Sequence, residues 1–433
     1  MSITGSMYTG AAGLTSHSDA MSVISDNIAN VNTVGFKSGR ANFTDMLGNV
    51  IAGQPSGSGS RIGSVQTNYS QGALLGTGNV TDLAIQGDGF FMVEGVVDGV
   101  RSTYYTRAGQ FLIDDQGYLV NSEKLRVQGN PIDANGNLLN SVGDLSFEFN
   151  SIPPEATTEV ELVANLDAEQ PVSTATFDIT DPAGTSDFST QILVYDSLGN
   201  KHELELYFNK TQQTPNPIWE YHVLTAGPDV GGAAGTWVEL TDGSGATPSI
   251  EFDANGAVVD YSMTSIDAAW LGANAETIDL NLGTSTASGG NGVDGVTSYG
   301  LKSAVTFSSQ DGYPSGDLAG LEIDQTGLMS GLFSNGQSRM LGRVSLAGFA
   351  NVDGLSRRGA GLYAATNESG SPVVGEPSSG GRGSVASGNL ESSNVDLARE
   401  FVDMISVQRG FQSNSRSITT ADEMLSEVLS LKR

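Results

Sequence analysis

The chain reads as mainly β with a long α-helix at each end. Heptad-spaced apolar residues are confined to the two ends, period-two alternation fills the middle, and Asp-x-x-Gly turns recur through it. Its 433 residues allow about three domains.

At the N-terminus, steps of seven from Met7 give Met7, Leu14, Met21 and Ile28, with Ile24 and Val31 between them. That spacing is close to the a/d seam of a coiled coil. Gly10 and His17 interrupt the second row, and Gly5, Gly10 and Gly13 weaken the start of the helix. Asn30, Asn32 and Gly35 place its end near Val31, because Asn and Gly tolerate left-handed backbone. The following Gly/Ser run, Gly53–Ser60, reads as a flexible connection or the tip of an extended hairpin.

In the middle, Asp-x-x-Gly occurs at Asp114–Gly117, Asp133–Gly136, Asp196–Gly199, Asp253–Gly256 and Asp324–Gly327. Asp first and Gly fourth suit a type I turn closing a hairpin through a glycine bulge. The clearest hairpin joins Thr190–Tyr195 to a strand in which Leu204, Leu206 and Phe208 alternate with Glu203, Glu205 and Tyr207. Two further Gly/Ser-rich loops, Thr284–Gly295 and Glu376–Gly383, punctuate the remainder, the second preceding the last helix.

At the C-terminus, one heptad row is wholly apolar: Leu397, Met404, Phe411, Ile418 and Leu425. The other is mixed: Phe401, Gln408, Ser415, Asp422 and Leu429. Ser392, Ser393 or Asn394 is expected to cap the helix, with Asp396 and Glu400 at its positive end and Lys432 and Arg433 at its negative end. From Val395 to Leu431 the helix would be a rod of about 55 Å. No globular β core needs that length, so the ends are expected to form a coaxial pair that packs between subunits.

Twenty bases against 49 acids leave a net charge of −29, which argues against nucleic-acid binding through a basic surface. The charge is uneven. Residues 1–50 carry three acids and two bases and residues 394–433 six acids and five bases, a net of −1 each, so −27 falls on residues 51–393. Without cysteine there is no disulfide and no thiolate nucleophile, and three histidines (His17, His202, His222) leave little for a zinc site. No apolar window is long enough for a membrane span, and Met1–Met7 lacks the basic residue of a cleavable secretory signal.

Gly87-Asp88-Gly89 lacks the third glycine and the helix of a dinucleotide site and reads as a turn. Asp133–Asn137 alternates oxygen ligands but has no Glu at the twelfth position of a calcium loop. His202 and His222 sit in strands with no Gly-x-Ser-x-Gly elbow, and pairs such as Asp114-Asp115 are uninformative among 49 acids. No catalytic, cofactor or metal residue is assigned, and a non-enzymatic chain is expected.

The segments Asn27–Lys37, Phe43–Leu47, Gly87–Phe91, Tyr105–Phe111, Ser387–Leu397 and Gln408–Asn414 together resemble the bacterial flagellar axial rod/hook protein family. Val194–Asn200, Gln310–Tyr313 and Ser334–Gln337 resemble segments of its hook members rather than its rod members, and the length agrees. The stretch Gly48–Gly63 is longer than in the shortest hook members.

The resemblance implies a structural subunit, exported by the flagellar type III apparatus without a cleaved signal peptide. It implies self-polymerisation outside the cell into a flexible tube, a universal joint transmitting torque from rod to filament. Implied partners are other copies of the chain, the distal rod protein, the hook cap, the hook–filament junction protein and the export apparatus, with no nucleic acid and no membrane insertion. The expected organisation is a helical core from residues 1–32 and 394–433, a linker or extended hairpin at 33–75, and an inner β domain from 76–150 and 306–393. An outer β domain, barrel- or sandwich-like, is inserted at 151–305. The expected assembly residues are Met7, Leu14, Met21, Ile24, Ile28, Val31, Leu397, Phe401, Met404, Phe411, Ile418, Leu425 and Leu429. A distal-rod or junction protein, or a secreted β-rich hydrolase or adhesin, are the competing readings.

Overall fold

The computed structural model describes residues 3–51, 54–133, 136–147 and 151–430. The chain is mainly β with a helix at each end, Ile3–Ala29 and Leu397–Ser430. It divides into two compact units, one of Met1–Phe149, Ala319–Leu332 and Ser338–Arg433, the other of Asn150–Leu318 and Phe333–Gln337.

In the first unit the N-terminal helix ends where the sequence places it. The Asn30 amide bonds back to the Asp26 and Asn27 carbonyls at 3.1 and 3.2 Å, and Gly35 takes φ +69°. Strands Gly39–Ile51 and Gln54–Thr67 then form one long antiparallel hairpin, so the described part of the Gly/Ser run is strand rather than flexible connection. The main sheet runs, neighbour to neighbour, through Leu328–Phe333, Ser338–Val344, Arg126–Pro131, Phe90–Val97, Val100–Thr106, Leu362–Ala364 and Ser356–Gly359. Phe90, Met92, Tyr105, Leu355 and Tyr363 form one core on it, with Tyr105 and Phe349 edge to face at 4.7 Å. Gly87 and Gly89, at φ +106° and +125°, do make a bend. The strands on either side of it do not pair with each other: Leu83–Gln86 pairs with Ser384–Ser387, and Phe90–Val97 with Val100–Thr106.

The second unit is a sandwich. One sheet runs Phe188–Tyr195, Lys201–Gln212, Ile218–Ala226, Ser249–Phe252 and Val258–Tyr261, with Trp237–Leu240 also on Ile218–Ala226. The other runs Ser265–Ala269, Ala275–Asn281, Glu159–Asn165 and Ala304–Gln310. Both contribute to one core, in which Leu162 and Ile278 meet Leu204, Leu206, Phe208 and Trp219. Among the described residues no strand path closes on itself, so the barrel alternative is not realised; two open sheets bury the same apolar faces.

All five Asp-x-x-Gly segments are turns: each glycine amide bonds to its aspartate carbonyl at 2.9–3.1 Å, with φ between +74° and +82°. Ala134 and Asn135 of the second turn lie outside the described residues. Asp196 is the most heavily used, accepting from the Leu198 and Asn200 amides at 2.9 and 2.8 Å and from Asn200 Nδ2 at 3.0 Å. Its other neighbour is His202, whose Nε2 lies 3.2 Å away; His202 also meets Asp229 and stacks on Trp270 at 4.0 Å. Burial works to raise the Asp196 pKa, but the bonds from Asn200, His202 and Leu198 outweigh it and hold the carboxyl below its ordinary value.

The alternation expected at 203–208 holds for Leu204, Leu206 and Phe208, yet Tyr207 is also buried. The irregular segment 166–187 covers that face of the sheet. Lys210 Nζ holds it by donating to the Ala168 and Gln170 carbonyls at 2.6 and 3.0 Å, and Phe177 stacks on His222 at 3.8 Å.

Asp196→Ala removes several accepted bonds at a buried turn and is expected to destabilise the chain by about 1–3 kcal/mol, read from urea unfolding. A carboxyl with a depressed pKa contributes stability above its unfolded value that is lost as pH falls through the folded one. The wild-type advantage over the variant should therefore shrink on acidification below the ordinary aspartate value of 3.8.

Candidate assembly site

The two terminal helices lie side by side and antiparallel. Gly10 faces Ile418, Gly13 faces Asn414, His17 faces Gly410, and Asn27 reaches Glu400. The buried face of the N-terminal helix is Gly10, Gly13, Ser16, Ala20, Ile24 and Asn27, three or four residues apart and mostly small. The contact depends on that smallness. A Cβ on Gly10 would sit 2.8 Å from Ile418 Cγ1, one on Gly13 2.7 Å from Asn414 Nδ2, and one on Gly410 2.6 Å from His17 Cε1.

The apolar rows expected from heptad counting are therefore placed differently. Met7, Leu14, Met21 and Ile28 form a half-buried flank, Ile24 is buried, and Val31 is half-buried beyond the helix end. On the C-terminal helix, Met404, Ile418 and Leu425 are half-buried, while Leu397 and Phe411 are each 39% exposed. The second inward row is Glu400, Val407 and Asn414, all half-buried, with Ala421 buried, one residue before the expected row, which leaves Phe401 50% exposed. The Leu429 side chain, with Lys432 and Arg433, lies outside the described residues. The cap is Asp396 rather than Ser392, Ser393 or Asn394: its Oδ1 accepts from the Ala398 and Arg399 amides at 2.9 and 3.3 Å. Asn394 has other work, described below.

Leu397, Phe401 and Ile405 recur every four residues beside Val402, and all four are exposed. The helix thus carries an uncovered apolar stripe through its first turns.

The long hairpin packs along the N-terminal helix. Ser16 and Ser60 hydroxyls lie 3.0 Å apart, the rings of His17 and Phe43 are 5.5 Å apart, and Gly59 passes Thr9 and Ala12 at φ +103°, where a Cβ would be 3.0 Å from Ala12.

Where helices meet sheet, three residues distant in sequence share one buried cluster. Lys37 Nζ donates to Glu391 Oε1 at 2.6 Å and to the Ser70 carbonyl at 2.8 Å. Arg107 Nη1 donates to Glu391 Oε2 at 3.2 Å and its Nη2 to the Gly87 carbonyl at 2.8 Å. The Gly72 amide completes the set at 2.9 Å from Glu391 Oε1. The Lys37 and Glu391 side chains are fully buried. Burial pulls the Lys37 pKa below 10.5, against the bond and charge of Glu391, which raise it.

Beside this cluster Asn394 Oδ1 accepts from the Ser38 amide at 2.8 Å and its Nδ2 donates to the Asn68 carbonyl at 2.8 Å. Asn27 exchanges two bonds of 2.8 Å with Gly39 and donates to Glu400 at 3.1 Å. The segments 27–37, 87–91, 105–111 and 387–397, which carry the family resemblance in the sequence, meet here. Sequence reasoning missed the ion cluster, whose members are separated by up to 354 positions. The helical spacing of Gly10, Gly13, Ser16 and Ala20 was visible and points to a close helix contact once small residues are counted as a face.

A cleft of about 930 Å³ opens between the two helices, the base of the hairpin and residues 352–353. Among the described residues no group of three or more His, Asp or Glu is arranged to hold a metal ion, and no helix is long and apolar enough to cross a membrane.

Comparison with known proteins covers both ends and the middle. Residues 7–37 match the family model described as flagella basal body rod protein, and 84–165 the flagellar hook protein FlgE/F/G D1 domain. Residues 165–313 match the flagellar basal body protein FlaE D2 domain, and 386–431 the flagellar basal body rod FlgEFG protein C-terminal model. The flagellar hook protein FlgE of Treponema pallidum is 35% identical over 99% of both chains, and that of Borreliella burgdorferi 36% identical over 99% of both. A crystal structure of Helicobacter pylori flagellar hook protein FlgE2 shares the fold, with a TM-score of 0.51 and 16% identity over 73% of this chain and 100% of that one.

Glu391→Gln leaves two buried cations without their carboxylate and is expected to cost about 3–5 kcal/mol in denaturant unfolding. Glu400 gives an independent test. Burial raises its pKa above 4.5 despite the Asn27 bond, so between those values the native state binds the proton better than the unfolded chain, and stability falls as pH rises through that window. Glu400→Gln keeps an acceptor for Asn27 and should raise Tm at about pH 7, with the gain shrinking as pH falls toward the unfolded value.

Proposed function

The chain belongs to the flagellar hook protein family and is a structural subunit of the flagellar hook, and from that premise we propose how its parts build a tube that bends. The terminal helices, residues 1–32 and 394–433, line the tube. The inner β domain, 76–150 and 306–393, forms the next shell, joined through 33–75, and the inserted domain, 151–305, is outermost.

The observation that carries this division is the uncovered apolar stripe of the C-terminal helix, on a segment of net charge −1 in a chain of −29. Such a face is covered when copies pack. The half-buried row Met7, Leu14, Met21 and Ile28 and the exposed Leu397, Phe401 and Phe411 supply apolar area between subunits. Ile24, Val31, Met404, Ile418 and Leu425 hold the helices to each other and to neighbours. Bending requires neighbouring outer domains to approach on one side of the tube and separate on the other. Acidic, turn-rich surfaces slide through wet polar contacts while the helices keep the subunits attached.

The chain is on this reading a non-enzymatic subunit, exported unfolded through the flagellar apparatus and polymerised outside the cell. The distal rod protein lies below it, the hook cap above it during growth and the junction protein above it afterwards. The hook reading is favoured over rod or junction readings by relatives of nearly equal length that carry the hook name.

Deletion of residues 1–30 is expected to leave folded β units by circular dichroism but no tubes by negative-stain electron microscopy. Tubes from the truncated chain would overturn this account. Phe401→Ser with Ile405→Ser, both at half-exposed positions, should slow tube formation while shifting monomer stability by less than about 0.5 kcal/mol.

A further inference from the structure

We propose that the cleft beside the terminal helices is the acceptor for the outward face of the C-terminal helix of a second copy, so that one helix is donor on one side and acceptor wall on the other. This deepens the hook reading and rests on it.

The cleft has an apolar floor of Ala20, Val23, Ile24 and Val352. Its charged lining is unbalanced: Asp88, Asp353, Asp396, Glu400 and Asp403 face only Arg40 and Arg399. The outward face of the C-terminal helix is the complement. It presents Leu397, Phe401, Val402 and Ile405, then Arg409 and Arg416 on the same side, and its first acid is Glu423. Apolar stripe meets apolar floor, and the two arginines meet the acid excess.

The placement of the two surfaces decides the kind of assembly. At 3.6 residues per turn, residues two apart lie roughly 160° around a helix from each other. Ile405, on the stripe, is therefore nearly opposite both Asp403 and Val407, which line the cleft. A copy whose cleft is filled still offers its stripe to the next. An interface between two different patches on opposite sides does not close into a dimer; it repeats head to tail and generates an open helical array.

The absence of cysteine makes the test clean. Full-length Ile405→Cys is mixed with full-length Ala41→Cys, or with Gln66→Cys as a second acceptor on the cleft wall, and the mixture is assembled, oxidised and run on a non-reducing gel. A disulfide-linked dimer present in the assembled mixture, and absent from the unassembled mixture and from each variant assembled alone, is the expected result. Tubes that form without the mixed dimer at either acceptor, or with Ile405→Cys linked only to itself, would overturn the cleft assignment and leave the hook function standing. Failure of the unmodified chain to form tubes under any condition would overturn the hook reading and this inference with it.

Discussion

Burying a carboxylate is unfavourable unless donors take over every role that water played, and the joint between helices and sheet in this chain is built around meeting that requirement at Glu391. Lys37 arrives from the N-terminal segment, Gly72 from the irregular segment after the hairpin and Arg107 from the first sheet. Any one alone would leave the carboxylate under-satisfied in a low-dielectric surround. The cluster therefore forms when all three segments have converged, which makes the joint cooperative. Arg357 extends the coupling by donating to the Lys37 carbonyl, and Asn394, three residues beyond Glu391, ties the approach of the C-terminal helix to the same strands.

The helix pair above the joint depends on a trade between propensity and proximity. Glycine in a helix interior costs about 1 kcal/mol relative to alanine. The N-terminal helix nonetheless carries Gly10 and Gly13 on its contact face, and the C-terminal helix carries Gly410 on its own. These residues weaken each helix alone and permit the close contact that stabilises both together. The helices are consequently marginal until partnered, a property that suits the proposed passage of the chain ends through export before they pack.

Local chemistry made the middle of the chain legible: an Asp-x-x-Gly states its own turn, because, as at Asp196, the carboxylate accepts amides two and four residues on and the glycine accepts positive φ. The helices at the ends were legible from periodicity, and their antiparallel pairing follows from their lengths and the shared joint. The contact face within the chain is not the row that heptad counting marks, because that counting rewards apolar bulk, whereas this seam carries small and polar residues and its second row runs through Glu400 rather than Phe401. The Glu391 cluster and the covering of Tyr207 and His222 by segment 166–187 were beyond reach, since each joins residues with no common period. Sandwich and barrel share the same alternation and differ only in whether the edge strands pair, which single-strand patterns do not encode.

The distribution of charge follows the division of labour. With −27 on residues 51–393 and −1 on each end, packing the ends of many copies brings little collective repulsion, so short-range apolar and steric fit governs there. The acidic middle is governed by a different length scale, since exposed charges are screened beyond about 8–10 Å at physiological salt. Two such surfaces can remain close and hydrated yet resist fusing into a dry interface, because excluding water would remove the screening and leave the carboxylates facing one another. In the tube proposed above, cohesion would come from the helices and lubrication from the β units, so that bending would change the spacing of wet contacts and leave the dry ones intact.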